Sequence, residues 1–187
     1  MKNYQAISTK TILFAAITFF LIASCGAPKG LTEVKGPFSG SSYEGSRRFF
    51  RATGSAESRD SETAKSKALL MAKQRLASFV QTQINQVAEN YSAERQIADN
   101  LGDFNTRFQQ ITREVLSQTI VDISIIGDKT YTNKNGNYIS YIALEAKKKV
   151  VYEKLKEISL MRKNLTPADK AAVSDMIDKA IKEAEDN

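Results

Sequence analysis

The spacing of hydrophobic residues changes along the chain, and each change predicts a new element of secondary structure. Around residues 47–56 apolar and polar residues alternate loosely, with Phe50 and Ala52 on one face. This period of two predicts a β-strand, which we expect to end at Gly54 and Ser55.

A stripe of apolar residues at three- and four-residue steps follows and predicts a long helix that ends near Tyr91. Asp60 or Ser61 stands in place to cap its first turn. The alanines at the start of the stripe would let the helix lie close to the element on which it packs. The predicted stripe consists of Ala64, Ala68, Ala72, Leu76, Phe79, Val80, Ile84, Val87 and Tyr91.

Five further elements complete the pattern. A second helix follows a polar stretch with a break at Gly102. Two strands come next, joined at an Asn135-Gly136 pair, which is a strong hairpin signal. Two helices end the chain, and Thr166-Pro167 opens the last one. The second helix is expected to bury Phe104, Phe108, Ile111, Val115 and Leu116. The two strands are expected to bury Val121, Ile123 and Ile125 in the first and Ile142, Leu144 and Ala146 in the second. The last two helices are expected to bury Val151, Leu155 and Ile158, and then Val173, Met176, Ile177, Ala180, Ile181 and Ala184.

The element order β-α-α-β-β-α-α predicts an α+β fold. In it, a small antiparallel three-stranded sheet is packed on one face by the long helix and further helices. The hairpin strands pair with each other, and the first strand joins one of the two edges of the hairpin. An exposed edge remains, through which the chain could form a homo-oligomer.

The N-terminus has the pattern of a bacterial export signal. Lys2 and Lys10 are basic, and the apolar run at residues 11–23 is interrupted only by two threonines. Thirteen residues rise about 20 Å as a helix, whereas a membrane span takes roughly 20 residues. The run therefore suits the core of a signal peptide better than a lasting anchor.

The apolar run ends at Ile22-Ala23-Ser24-Cys25, and Cys25 is the only cysteine of the chain. These four residues resemble the bacterial lipobox, in which a diacylglycerol is linked to the cysteine and the signal is cut just before it. We predict that residues 1–24 are removed and that Cys25 is lipidated. The alternatives are an uncleaved helix and an ordinary signal with an incidental cysteine, which would leave one free thiol.

The stretch after Cys25 is rich in glycine, proline and serine and shows no period. We predict that residues 25–46 form the lipidated N-terminus and a flexible tether, and that residues 47–187 form a single domain. Loss of the signal lowers the formal net charge from +6 to +4. This modest excess can favour an anionic membrane or wall polymer, and it lacks the density expected of a nucleic-acid binder.

The composition removes much catalytic and metal-binding chemistry. The chain has no histidine, and lipidation would consume its only thiol. Imidazole bases, cysteine nucleophiles and the usual zinc ligand sets are therefore excluded. Neither a serine-hydrolase elbow nor a glycine-rich phosphate loop is present. We predict a protein that is not an enzyme, with no catalytic residues, no cofactor and no metal.

Three polar clusters each have two interpretations. Glu57, Asp60 and Glu62 could bind a cation, or they complement the dipole at the start of the long helix, which we favour. The run Lys147–Lys149 could contact phosphate or membrane, or it forms a solvated corner, which we also favour. A set of tyrosines near the hairpin forms either a contact patch or ordinary cross-strand packing. The tyrosines are Tyr131, Tyr138 and Tyr141.

Two segments resemble the Lpp-twenty family of bacterial lipoproteins. They are the strand end Arg-Ala-Thr-Gly-Ser-Ala at residues 51–56 and the alanine-spaced helix start at residues 64–73. The similarity covers residues 47–150, and the lipobox agrees with it. The resemblance implies an envelope lipoprotein with a small α+β domain and no known catalysis. Related domains occur in outer-membrane and flagellum-associated proteins, and Cys25 is the functional position that transfers.

These observations predict a non-enzymatic, lipid-anchored lipoprotein of the cell envelope that acts as a structural or protein-interaction module. Its partners would be the membrane, through acyl chains on Cys25, and an unidentified envelope protein. The sorting rule of enteric bacteria, applied to Gly26, places it in the outer membrane. The alternative is a binding protein for a small ligand or a cell-wall glycan, with a groove between the sheet and the helices.

Overall fold

In the part of the chain that the structure describes, seven elements follow one another in the predicted order, which confirms the α+β class. The computed structural model describes residues 35–95, 101–119 and 123–186, with side chains described for 35–93, 106–117 and 123–186. The predicted signal peptide, Cys25 and Val121 lie outside these residues, as does the side chain of Phe104. The elements are β1 (Phe49–Ser58), α1 (Ser61–Arg95), α2 (Leu101–Thr119), β2 (Ser124–Thr132), β3 (Tyr138–Lys147), α3 (Lys148–Met161) and α4 (Pro167–Glu185).

The three strands form one antiparallel sheet in the order β1-β3-β2. The first strand thus joins the free side of β3, which resolves the choice that the sequence left open. The tight turn between β2 and β3 contains Gly136 with φ of 78°, a left-handed conformation that glycine adopts without steric cost. The side-chain oxygen of Asn133 accepts hydrogen bonds from the backbone N–H groups of Asn135 and Asn137 and closes the turn.

The first half of α1 packs against β1 and β3 at unusually short range. Ala64, Ala68 and Ala72 are fully buried in this contact. A Cβ atom on Gly54 would lie only 2.4 Å from the carbonyl oxygen of Ala68 and 2.4 Å from the backbone nitrogen of Ala72. The expected strand end at Gly54 and Ser55 is therefore wrong: β1 continues to Ser58, because the glycine makes room for the helix and makes no turn.

The second half of α1 extends beyond the sheet and carries the remaining helices. Its 35 residues span about 52 Å, whereas the ten residues of β1 span about 33 Å. Residues four apart on a helix are rotated by about 40°, so the buried stripe turns from the sheet towards α2 and α4. Phe79 falls outside this rotating stripe and is 55% exposed, contrary to prediction, while Ala88 is buried.

The outer strand β2 receives little cover from the helices. Ile125 lies opposite the buried Leu144 on the helix-facing side of the sheet, yet it is 53% exposed. It shares that face with Asp128, whose carboxylate pairs with Lys65 of α1. Because α1 lies mainly over β1 and β3, the inner face of β2 meets polar groups and solvent.

The helices α2, α3 and α4 close the core around the second half of α1. Their predicted inner residues are buried, with Leu116, Ile181 and the unpredicted Thr112 among the packed side chains. Thr166 and Asp169 form a capping box at the start of α4, which confirms the predicted cap. All buried core residues lie between Phe50 and Ala184, so a chain that begins at Gly26 contains the whole described core.

Residues 36–46, within the segment predicted as a tether, pack on the helix-free face of the sheet. The ring of Phe38 lies against Gly127, where a Cβ atom would come within 2.5 Å of it. Lys129 lies 5.8 Å from the centre of the same ring, and Tyr43 packs beside it. The guanidinium of Arg51 bonds both Glu145 and the carbonyl oxygen of Glu44, so this segment belongs to the compact unit that begins at Gly36.

We expect Gly54→Ala to destabilise the protein by about 1–3 kcal/mol, because the new methyl group would press on backbone atoms of α1. The free energy of unfolding in urea measures the effect. Gly36→Ala is the matched control, because a Cβ there meets nothing within 4 Å. Equal stability of the two variants would contradict the close contact between β1 and α1.

Candidate functional site

A cleft of about 470 Å³ opens where the second half of α1 passes the end of the sheet. We call it the α1–α4 cleft. Its walls come from Arg47 just before β1, from α1, from the first turns of α3 and from the end of α4, so four distant parts of the sequence build it. Its lining residues are Arg47, Gln83, Val87, Lys148, Tyr152, Ala180, Glu183, Ala184 and Asp186.

Two cations of the α1–α4 cleft, Arg47 and Lys148, each contact another group of the domain. The guanidinium of Arg47 donates to the main-chain oxygen of Asp186 at 2.7 Å. The ammonium of Lys148 lies 5.0 Å from the centre of the Phe50 ring, and burial lowers its pKa below the usual value. The cations of Arg47 and Lys148 and the carboxylate of Glu183 line the same cleft. This lining suits a ligand with both an anionic and a hydrogen-bonding group.

Tyr152 forms the floor of this cleft and is almost fully buried. Its ring meets Phe50 edge to face, with 6.1 Å between the ring centres. Burial, aided by the charge of Glu183, raises the pKa of the phenol to about 12. The phenol stays neutral at neutral pH, and its hydroxyl can donate or accept a hydrogen bond.

The Lys147–Lys149 run stands at the junction of β3 and α3, as the corner interpretation predicts. Its three side chains have different surroundings. Lys147 is exposed, Lys148 lies over the Phe50 ring, and Lys149 pairs with Glu185 at 2.6 Å. The hydrogen bond to Glu185 raises the pKa of Lys149.

The acidic cluster at the start of α1 performs structural roles. One oxygen of Glu57 accepts hydrogen bonds from the side-chain amides of Asn133 and Asn137, at 2.8 and 2.7 Å. Asp60 accepts from the backbone N–H of Thr63 at 2.7 Å and so caps the helix. Within the ranges that the structure describes, no group of three potential ligands is placed to hold a metal ion.

The three tyrosines near the hairpin do not form one patch. Tyr131 and Tyr141 pack edge to face, with ring centres 5.9 Å apart, and Tyr131 is 47% exposed. Tyr138 stands an odd number of residues from Tyr141 along β3 and so lies on the opposite face. Ordinary cross-strand packing accounts for the first two.

The principal predicted site, Cys25, lies outside the described residues. None of the helices in the described part of the chain is long and apolar enough to cross a bilayer. No local sequence pattern predicts the α1–α4 cleft, because Arg47, Lys148 and Glu183 are separated by more of the chain than such a pattern spans. One weak signal existed: Tyr152 places a polar group within the apolar stripe of α3.

We expect the cap at Asp60 to give the acidic cluster a pH-dependent contribution to stability. Hydrogen bonds from the Thr63 hydroxyl and backbone N–H lower the pKa of this carboxylate. A lowered folded-state pKa means that the contribution is full above the unfolded value of about 3.9 and is lost as the pH falls through the folded value. Asp60→Ala should therefore unfold more easily at neutral pH, and its difference from the wild type should narrow in acid.

Asp60→Asn is the matched control, because asparagine caps helices without titrating. Urea unfolding of the wild type and both variants, at neutral pH and below pH about 3, checks the expectation. The difference between Asp60→Asn and Asp60→Ala should stay constant over this range. A constant difference between wild type and Asp60→Ala would contradict the titrating cap.

Comparison with known proteins finds no model of a protein family, no curated protein and no solved structure that matches this chain. The resemblance to the Lpp-twenty lipoproteins stays a prediction.

Proposed function

We propose that this protein is a non-enzymatic lipoprotein of the bacterial cell envelope, anchored by acyl chains on Cys25. One observation carries the proposal: the only cysteine of the chain follows Ile22-Ala23-Ser24 at the end of an apolar run of signal-peptide length. The rest of the chain then forms an α+β interaction domain. The sorting rule applied to Gly26 favours the outer membrane.

The anchor follows from the chemistry of acylation. The Cys25 thiolate would displace the phosphate headgroup of a phospholipid, so that a C–S bond to the diacylglyceryl group forms as the C–O bond to phosphate breaks. The signal peptidase would then hydrolyse the peptide bond between Ser24 and the modified Cys25. Each buried methylene contributes about 0.8 kcal/mol, and one acyl chain alone binds membranes only reversibly. The two chains of a diacylglycerol would therefore hold the protein durably at the bilayer surface.

The described part of the domain agrees with an interaction module. Besides the tyrosines Tyr91 and Tyr152, its buried polar residues are Thr112, Ser140 and Ser159. Thr112 and Ser140 bond neighbouring oxygen atoms. Its acidic cluster at residues 57–62 serves the hairpin and the helix cap. These observations support recognition through the surface of the domain.

We expect cells supplied with labelled palmitate to label the wild-type protein and not Cys25→Ala. Ser24→Ala is the matched control, because alanine is a common residue before the lipobox cysteine and labelling should persist. Globomycin, which blocks the lipoprotein signal peptidase, should leave a heavier precursor that retains residues 1–24. The proposal would be contradicted if the mature protein carried no acyl chains and its mass were unchanged by globomycin.

A second candidate function is the binding of a small ligand or cell-wall glycan fragment in the α1–α4 cleft. The observation that favours it is the cleft itself, about 470 Å³ with Arg47, Lys148 and Glu183 on its walls. A muropeptide offers the carboxylates and hydroxyls that such a lining can bind.

We expect soluble muropeptides to raise the melting temperature of the protein saturably if this second candidate is right. Lys148→Met should reduce the rise, because it removes a cation from the cleft, whereas Lys134→Met at the hairpin turn should not. Thermal-shift titration measures both variants against their own unliganded melting temperatures. No saturable rise with the wild type would rule out muropeptides as ligands.

A further inference from the structure

Five basic residues meet at one end of the sheet. We call them the basic rim: Arg47, Arg48, Lys147, Lys148 and Lys149. The two arginines directly precede β1, and the lysines stand where β3 passes into α3. The strands bring them together, because Phe49 pairs with Lys147 and the backbone N–H of Lys148 donates to the carbonyl oxygen of Arg48 at 2.9 Å.

The members of the basic rim differ in what they already bind. Arg47 donates to the main-chain oxygen of Asp186, Lys148 lies over an aromatic ring, and Lys149 pairs with Glu185. Arg48 and Lys147 are exposed, and neither forms an ion pair with any residue in the described ranges. They line a second cleft of about 390 Å³ together with Phe49, Lys149, Ala184 and the acidic Glu185, which already pairs with Lys149.

The opposite end of the sheet has a different charge. There, residues 57–62 contribute three carboxylates and Arg59, and the hairpin turn adds Lys134. The acids outnumber the bases at that end, and two of the carboxylates hold the hairpin and the helix cap. The rim end keeps a positive excess, because its five bases stand beside three acids, Glu183, Glu185 and Asp186. An anionic surface would therefore attract the basic rim more than the hairpin end.

We propose that the basic rim binds the phosphate groups of an anionic membrane surface. This inference rests on the proposed function, because acylated Cys25 would keep the domain beside a bilayer. Eleven residues lead from Cys25 to Gly36, and a chain of that length spans at most about 40 Å. Neighbouring lipids present several phosphates close together, which the exposed cations Arg48 and Lys147 can contact at once. Val150, more than a third exposed beside the rim, adds an apolar contact.

The test uses the chain from Gly26 onward, which has no cysteine to acylate and retains the described core. It measures how much of this protein sediments together with lipid vesicles. The probes are vesicles of phosphatidylcholine alone and of phosphatidylcholine mixed with phosphatidylglycerol. We expect binding to the anionic vesicles only, weakened by added salt. Each cation near an anionic surface strengthens binding about fivefold, so the double variant Arg48→Gln, Lys147→Gln should bind about 25-fold more weakly.

The matched control is the double variant Lys134→Gln, Lys163→Gln, which has the same net charge and alters exposed lysines away from the rim. It should bind as the wild type does. Equal weakening of both double variants, or no binding to the anionic vesicles, would overturn the inference. Displacement by inorganic phosphate at an equal phosphate concentration would also overturn it and would indicate a site for free phosphate.

The result is independent of acylation, because the probe protein lacks Cys25. If the protein does not bind the anionic vesicles, the proposed phosphate binding by the basic rim is refuted. The palmitate experiment then still tests the anchor on Cys25. Absent palmitate labelling would refute the anchor, while the vesicle measurement would still report on the rim.

Discussion

The contact between Gly54 and the alanines of α1 determines where every other element can lie. Backbone atoms of Ala68 and Ala72 approach the strand so closely that even a methyl group on Gly54 would come within 2.4 Å of them. Alanines bury little apolar area, so the contact adds little hydrophobic free energy. Its main effect is to let the helix and the sheet approach closely. Small residues on both partners set the distance between helix and sheet, and with it the positions available to the larger side chains of the core.

The length of α1 turns this contact into the architecture of the whole domain. Because α1 is fixed on β1 and β3 by its first half, its second half must extend past the sheet. The rotating apolar stripe then faces α2 and α4, which α3 joins to close the core. The α1–α4 cleft opens where the helix leaves the sheet, while β2 remains at the edge with Ile125 exposed. The cleft and the exposed edge have the same origin.

Short-range patterns were sufficient for the order of elements and for much of the core. Residues such as Phe50, Leu144 and Val173 are buried as their periods predict, and Asp60 caps α1 as its position predicts. The prediction of a strand end at Gly54 is wrong because a glycine in a sequence can indicate a turn or a close backbone contact equally well. The prediction that Phe79 is buried is wrong because a regular apolar stripe does not show where the packing partner of a long helix changes. Such facts depend on tertiary neighbours, and so does the α1–α4 cleft.

Some charged groups of the domain stabilise its fold, whereas others are exposed and can contact a partner. A charged group that already holds a turn or caps a helix is not free to bind a ligand without loss of stability. Glu57 and Asp60 are committed in this way at the hairpin end, where their hydrogen bonds join strand, turn and helix. At the basic rim fewer of the charged groups are needed for the fold, because Arg48 and Lys147 are exposed at the mouth of a cleft. Exposed cations gain little from one another and lose little hydration when they meet phosphate at a surface. Arg48 and Lys147 can therefore bind phosphate without giving up an ion pair within the described structure.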